Sequence, residues 1–177
     1  MKRLSIPLLA VGAVALVVAG CGGGSKKKSS STTSAAPAAP ATTTPSSSGA
    51  GGGATVDLRN TSLGKVLVGG NGMTLYLFEK DKGPKSTCSG ACASAWPPLT
   101  TSGKPKAGSG VKAAKLGITK RGDGTTEVTY NGHPLYFYAG DSTPGQTNGQ
   151  GLNQFGAEWY VLSAKGDKVE NGEKGGS

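Results

Sequence analysis

The chain has 177 residues, 35% of them hydrophobic, with 31 glycines and a formal net charge of +9. That basic surplus does not describe a nucleic-acid binder. Lys2 and Arg3 open the chain, Lys26, Lys27 and Lys28 stand in a polar stretch, and from Thr55 onward 14 basic and 10 acidic residues are interspersed, whereas a nucleic-acid face needs clustered charge on a recognisable module.

The N-terminus reads as an export signal over residues 1–20. Lys2 and Arg3 supply the positive start, and residues 6–19 form an apolar run of about 14 residues, the length of a signal core. A membrane-spanning helix needs about 20. The run ends in "VAGC", residues 18–21, which resembles the lipobox of bacterial lipoproteins. There a Cys, here Cys21, is acylated and becomes the new N-terminus. Several acyl chains on one residue anchor stably, because each buried CH₂ contributes about 0.8 kcal/mol. Residues 21–54 then hold almost no large apolar side chain, so they cannot offset the entropy of ordering and read as a disordered tether. Its lysines can touch anionic headgroups, and its Ser/Thr/Pro content can accept O-glycans.

One β domain is expected over residues 55–164. "TVDLRN", residues 55–60, is expected as an N-terminal edge strand. "KVLVGGNGMTLYLF", residues 65–78, reads as strand, turn and strand, because Asn-Gly favours a type I′ turn; Gly69 and Gly70 can lengthen that loop. Then comes "TCSGACASAW", residues 87–96. Outside the cytoplasm two thiols this close should oxidise to each other. An ideal helix would hold their Cβ atoms roughly 5–6 Å apart, against about 3.8 Å in a disulfide. Cys88 and Cys92 should therefore close a tight or distorted turn, with Gly90 absorbing the unusual dihedrals. A redox-active pair and a zinc site are the other readings of these thiols. After Trp96, Pro97 and Pro98 stop the segment, and a Lys/Gly-rich connection follows. Asp123-Gly124 marks a hairpin turn. "TTEVTYNGHPLYFY", residues 125–138, is a second hairpin, with Val128 and Tyr130 alternating with Glu127 and Thr129 as in a half-buried strand. Pro134 lacks an N–H and belongs at an edge. "WYVL", residues 159–162, is a strand. Residues 165–177 read as a polar, frayed tail.

The two hairpins are copies sixty residues apart: "NGMTLYLFEKD" from Asn71 and "NGHPLYFYAGD" from Asn131. They share Asn71/Asn131, Gly72/Gly132, Leu75/Leu135, Tyr76/Tyr136, Phe78/Tyr138 and Asp81/Asp141, and each leads through a Gly/Pro/Ser/Thr loop to a tryptophan, Trp96 or Trp159. Repeat one covers about 64–99 and repeat two about 124–163. The expected fold is mostly β: paired β-hairpins with pseudo-twofold symmetry and one short disulfide-closed turn or helix. A lone two-stranded hairpin is marginal in water, so Leu75, Tyr76, Phe78, Leu135, Phe137 and Tyr138 are expected to share a core with Trp96 and Trp159.

These residues resemble a bacterial family, the secreted repeats of unknown function, a set of predicted lipoproteins with a Tyr-x-[Phe/Trp/Tyr]-x-x-Asp motif. The motif stands here as Tyr76, Phe78, Asp81 and as Tyr136, Tyr138, Asp141. The segments "CSGACASAWPPL" and "DSTPGQTNGQGLNQFGAEWYVL" fit the family's first and second copies. The resemblance implies an exported, membrane-anchored tandem repeat in the bacterial envelope. It carries over no catalytic residue.

Each marked residue has a structural and a chemical reading. Asp81 and Asp141 can accept backbone N–H bonds at the strand exits; a hydrolytic carboxylate pair would need a cleft and one raised pKa. Tyr76 and Tyr136 fit a core, or a sugar-stacking face. Met73 and His133 align in the two repeats and form a ligand set suited to copper or haem, though too few ligands are visible for a tight site. The expectation is a non-enzymatic binding or envelope-structural module without cofactor or nucleic acid, touching cell-wall polysaccharide or another envelope protein. The alternative is a small redox or electron-transfer-associated protein using Cys88/Cys92 or a bound metal or haem.

Overall fold

A computed structural model describes residues 52–170. The expected signal peptide, Cys21, nearly all of the tether and the end of the tail lie outside the described residues. In chain order the fold contains β1 (Thr55–Thr61), β2 (Gly64–Gly69), β3 (Tyr76–Phe78), α1 (Ala91–Ala95), β4 (Lys106–Ala107), a 3₁₀ turn (Ala113–Lys115), β5 (Leu116–Lys120), β6 (Thr126–Tyr130), β7 (His133–Pro134), β8 (Asn153–Gln154) and β9 (Ala157–Val161). They form three small sheets in the orders β2-β1-β4, β3-β9-β8 and β5-β6-β7.

Several sequence expectations change, three of them at single strands and turns. β1 is a middle strand, not an edge: β2 pairs with it antiparallel, and the Lys/Gly connection supplies β4 on its other side, in parallel. The first Asn-Gly is not a type I′ turn. Asn71 keeps an ordinary φ, only Gly72 is left-handed (φ 79°), and the loop closes through Gly69 N–H to Met73 O at 2.8 Å. The two extra glycines widen the loop, and Asn71 Oδ1 accepts the Met73 N–H at 3.1 Å. The second copy is the type I′ turn: Asn131 (φ 50°) and Gly132 (φ 82°) join Tyr130 to its partner His133. β6 is buried along its whole C-terminal part, Glu127 included, instead of alternating. Residues 98–101 run beside it, with Leu99 O accepting the Val128 N–H at 2.9 Å. Pro134 lies in β7 at the sheet edge, where its missing N–H costs no ladder bond.

The repeats meet through backbone. Tyr76 and Tyr136 exchange both N–H···O=C bonds, at 2.8 and 3.0 Å, as an antiparallel bridge. Alternate side chains along each strand point to opposite faces, and here both faces are covered. One expected core therefore becomes two. Leu75, Leu135 and Phe137 join Val56, Leu67 and Tyr130 in the first cluster. Tyr76, Phe78 and Tyr136 join Trp96 and Trp159 in the second, with Tyr138 packed against it. The described part of the tail is also folded. Val169 is buried, its N–H bonds Val161 O at 2.9 Å, and Lys168 pairs with Glu79 at 2.8 Å. Val169 buries in the second cluster, and the Ser163 N–H bonds Asp167 O at 2.9 Å to turn the chain back.

Candidate functional site

The repeated Tyr and Asp sit where the two halves interlock. Each tyrosine hydroxyl crosses to the other repeat's aspartate: Tyr76 Oη donates to Asp141 Oδ2 at 2.6 Å, and Tyr136 Oη donates to Asp81 Oδ2 at 2.7 Å. Short O–H···O⁻ bonds of this length are the stronger, charge-assisted kind. The second oxygen of each carboxylate holds its own loop. Asp81 Oδ1 accepts the Thr87 N–H and hydroxyl at 2.8 and 2.6 Å, and Asp141 Oδ1 accepts the Asn148 N–H at 2.9 Å. Each aspartate thus ties its strand exit to its loop, six or seven residues on, and also binds the opposite repeat. Burial raises both tyrosine pKa values above the ordinary phenol range, the partner carboxylates adding to it. Burial raises that of Asp141, against the Tyr76 bond that lowers it.

The aromatic rings interleave in the same way. Trp96 and Trp159 stack at 3.9 Å between centroids and 4° between planes. Phe78 of repeat one stacks on Trp159 at 4.0 Å, and Tyr138 of repeat two lies against Trp96 at 4.4 Å. Tyr76 and Tyr136 meet the two indoles edge-on, at 5.3 and 5.2 Å. Gln154 holds both indole N–H groups, Trp96 through its side chain at 3.0 Å and Trp159 through its backbone carbonyl at 3.2 Å.

One polar chain has no counterpart in the other repeat. Arg121 Nη1 donates to Ser86 Oγ and to Glu127 Oε2, each at 2.7 Å, and Arg121 Nη2 donates to Cys88 O at 2.6 Å. Tyr136 Oη spends its proton on Asp81, so it accepts from Ser86 Oγ at 2.6 Å. The direction runs from Arg121 through Ser86 and Tyr136 to Asp81. Glu127 is fully buried and its Oε1 has no partner among the described residues. Burial pushes its carboxyl up to about 7, even against the adjacent guanidinium. Sequence reading missed Arg121, Ser86 and Glu127. Alternation placed Glu127 in solvent, and no local signal brings Arg121 to the disulfide loop.

Cys88 and Cys92 are bonded, with Cα atoms 5.3 Å apart, and Gly90 takes φ 56° ahead of α1. Both half-cystines are buried. Met73 and His133 are not brought together. The antiparallel Tyr76–Tyr136 bridge sends their segments in opposite directions, which separates them by about 20 Å at 3.3 Å per residue. Met73 packs on the first core, while His133 lines a depression of about 800 Å³ with Glu79, Lys80 and Lys82. No group of three or more potential metal ligands occurs among the described residues.

A family model described as a secreted repeat of unknown function matches the chain twice, over residues 58–100 and 117–163. The chain belongs to this family of secreted repeats. The two matched segments contain both crossed tyrosines, both aspartates and both tryptophans. No curated protein and no solved structure matches the chain. Membership puts this secreted repeat outside the cytoplasm, and no helix among the described residues is long and apolar enough to cross a membrane.

Proposed function

We propose that the protein is held at the bacterial cell envelope by lipid on Cys21 and that its folded part is a non-enzymatic binding or envelope-structural module. One observation carries this reading: the repeated motif spends its reactive atoms internally. Both hydroxyls and both carboxylates are bonded to one another and to loop backbone in the core. Neither a free nucleophile nor a poised acid and base is left at the motif. The "VAGC" segment ahead of a polar tether supports anchoring. Cell-wall polysaccharide or another envelope protein is the partner class that fits an anchored module. Against the redox alternative stand the burial of the disulfide and the separation of Met73 from His133.

Metabolic labelling with palmitate tests the anchor: label should enter the wild-type chain and not Cys21→Ser. Label in Cys21→Ser would refute lipidation at that residue. Native purification from membranes, followed by absorbance and mass spectrometry, tests the module. A metal or haem spectrum would favour the redox reading, and retention on cell-wall polysaccharide the binding one.

A further inference from the structure

Two hairpins close with a two-residue turn in which both residues are left-handed. Between β6 and β7 the pair is Asn131 and Gly132. Between β8 and β9 it is Phe155 (φ 58°) and Gly156 (φ 91°). Asn suits such a turn because its short polar side chain tolerates left-handed backbone, whereas a bulky residue there is strained. Burial does not compensate: Phe155 is 42% exposed, while Phe78 and Phe137 lie in the cores. Neither turn chemistry nor packing accounts for a phenylalanine at this tip. A local rule broken without structural return marks a functional position.

The surroundings indicate what the tip meets. Lys80 and Lys82 are exposed, and their ammonium groups bond carbonyls, not carboxylates: Phe155 O at 3.4 Å and Glu79 O at 3.0 Å. Nearby acids are engaged elsewhere. Glu79 pairs with Lys168, and Asp81 is buried on Tyr136 and Thr87. Asp167 is the one other carboxylate on the depression that Lys80, Lys82 and Gly156 share. An apolar ring without a polar handle, flanked by two ammonium groups that form no ion pair among the described residues, is the combination that settles at an anionic headgroup layer.

We infer that the β8–β9 tip is a membrane-contact site: Phe155 enters the interface of an anionic lipid surface while Lys80 and Lys82 meet its phosphates. The inference rests on the proposed anchoring at Cys21 only for proximity. Treated as a coil, the stretch of about 33 residues between Cys21 and Thr55 would span roughly 30 Å, a distance compatible with contact.

The test uses the chain from Thr43 onward, which holds every residue of both cores and omits Lys26, Lys27 and Lys28. Partition onto phosphatidylglycerol–phosphatidylcholine vesicles is compared with pure phosphatidylcholine. The wild-type chain should prefer the anionic vesicles. Phe155→Asn restores the residue this turn favours, so its denaturation midpoint should rise while partition falls about tenfold. Lys80→Gln and Lys82→Gln should each lose about fivefold. Equal partition of the wild-type chain on both vesicles, or undiminished partition of a stabilised Phe155→Asn, overturns the inference. Retention on purified cell-wall polysaccharide that Phe155→Asn abolishes, without vesicle binding, assigns the tip to a glycan and also overturns it. Palmitate labelling of Cys21 is independent of these outcomes, so failure of the anchor and failure of the tip are distinguishable.

Discussion

The crossed hydrogen bonds make a prediction about which residues are energetically coupled. Tyr76→Phe removes one hydroxyl and leaves Asp141 Oδ2 buried without its 2.6 Å donor, Asp141 keeping only the Asn148 N–H on its other oxygen. A hydrogen bond to a charged group contributes about 1.5–3 kcal/mol, against a total stability of about 5–15 kcal/mol for a domain. Asp141→Ala should cost a similar amount, because it strands the Tyr76 hydroxyl and the Asn148 N–H together. The double variant should cost less than the sum, with a coupling of about 0.5–3 kcal/mol. The same should hold for Tyr136→Phe with Asp81→Ala. Pairs within one repeat, Tyr76 with Asp81 and Tyr136 with Asp141, should be additive to within about 0.5 kcal/mol. Urea denaturation of the eight variants and the parent, read at constant m-value, supplies all four cycles. Coupling within repeats and additivity between them would refute the interlocked arrangement.

Other variants probe the asymmetric chain and the disulfide. Arg121→Met should cost about 3–5 kcal/mol, because it strands the buried Glu127 carboxylate; a urea midpoint unchanged from the parent would show the pair to be dispensable. Glu127 also predicts a pH dependence. Its folded pKa, about 7, lies above the ordinary 4.5, so the folded state binds the proton more tightly. Its contribution is present below about pH 4.5 and is lost as pH rises through about 7, roughly 3 kcal/mol in all. Glu127→Gln should flatten that part of the stability–pH profile, and an unchanged slope would place the titration elsewhere. Intact mass before and after reduction and alkylation should show Cys88 and Cys92 bonded, and their joint replacement by Ser should cost about 2 kcal/mol and leave the fold recognisable. Two thiols alkylated without reductant would contradict this.

Much of the architecture was legible because its causes are local. Asn131-Gly132 dictates a turn, Pro134 demands an edge, and the spacing of Cys88 and Cys92 around Gly90 allows a ring. The sixty-residue repeat announced two equivalent units. What escaped is non-local. Nothing in "LYLFEKD" says that its tyrosine hydroxyl will bind the other copy's aspartate; that follows from the antiparallel exchange at Tyr76 and Tyr136, a pairing between distant segments. Glu127 looked solvent-facing because alternation describes one strand, while its burial comes from residues 98–101 laid beside it. Asn71 shows the limit of a dipeptide signal: the same Asn-Gly behaves differently once Gly69 and Gly70 lengthen the loop. Of the candidate site, Tyr76, Tyr136, Asp81 and Asp141 were legible as a set. Their mutual satisfaction was not, since the sequence does not reveal which atoms meet.

The repeated motif locks one half of the fold to the other through its crossed Tyr–Asp bonds. Solution NMR of the folded chain tests this lock at the atoms concerned. Two slowly exchanging tyrosine hydroxyl protons are expected, Tyr76 Hη with an NOE to the β-protons of Asp141 and Tyr136 Hη with an NOE to those of Asp81. Rapidly exchanging hydroxyls, or NOEs from each tyrosine to the aspartate of its own repeat, would contradict it.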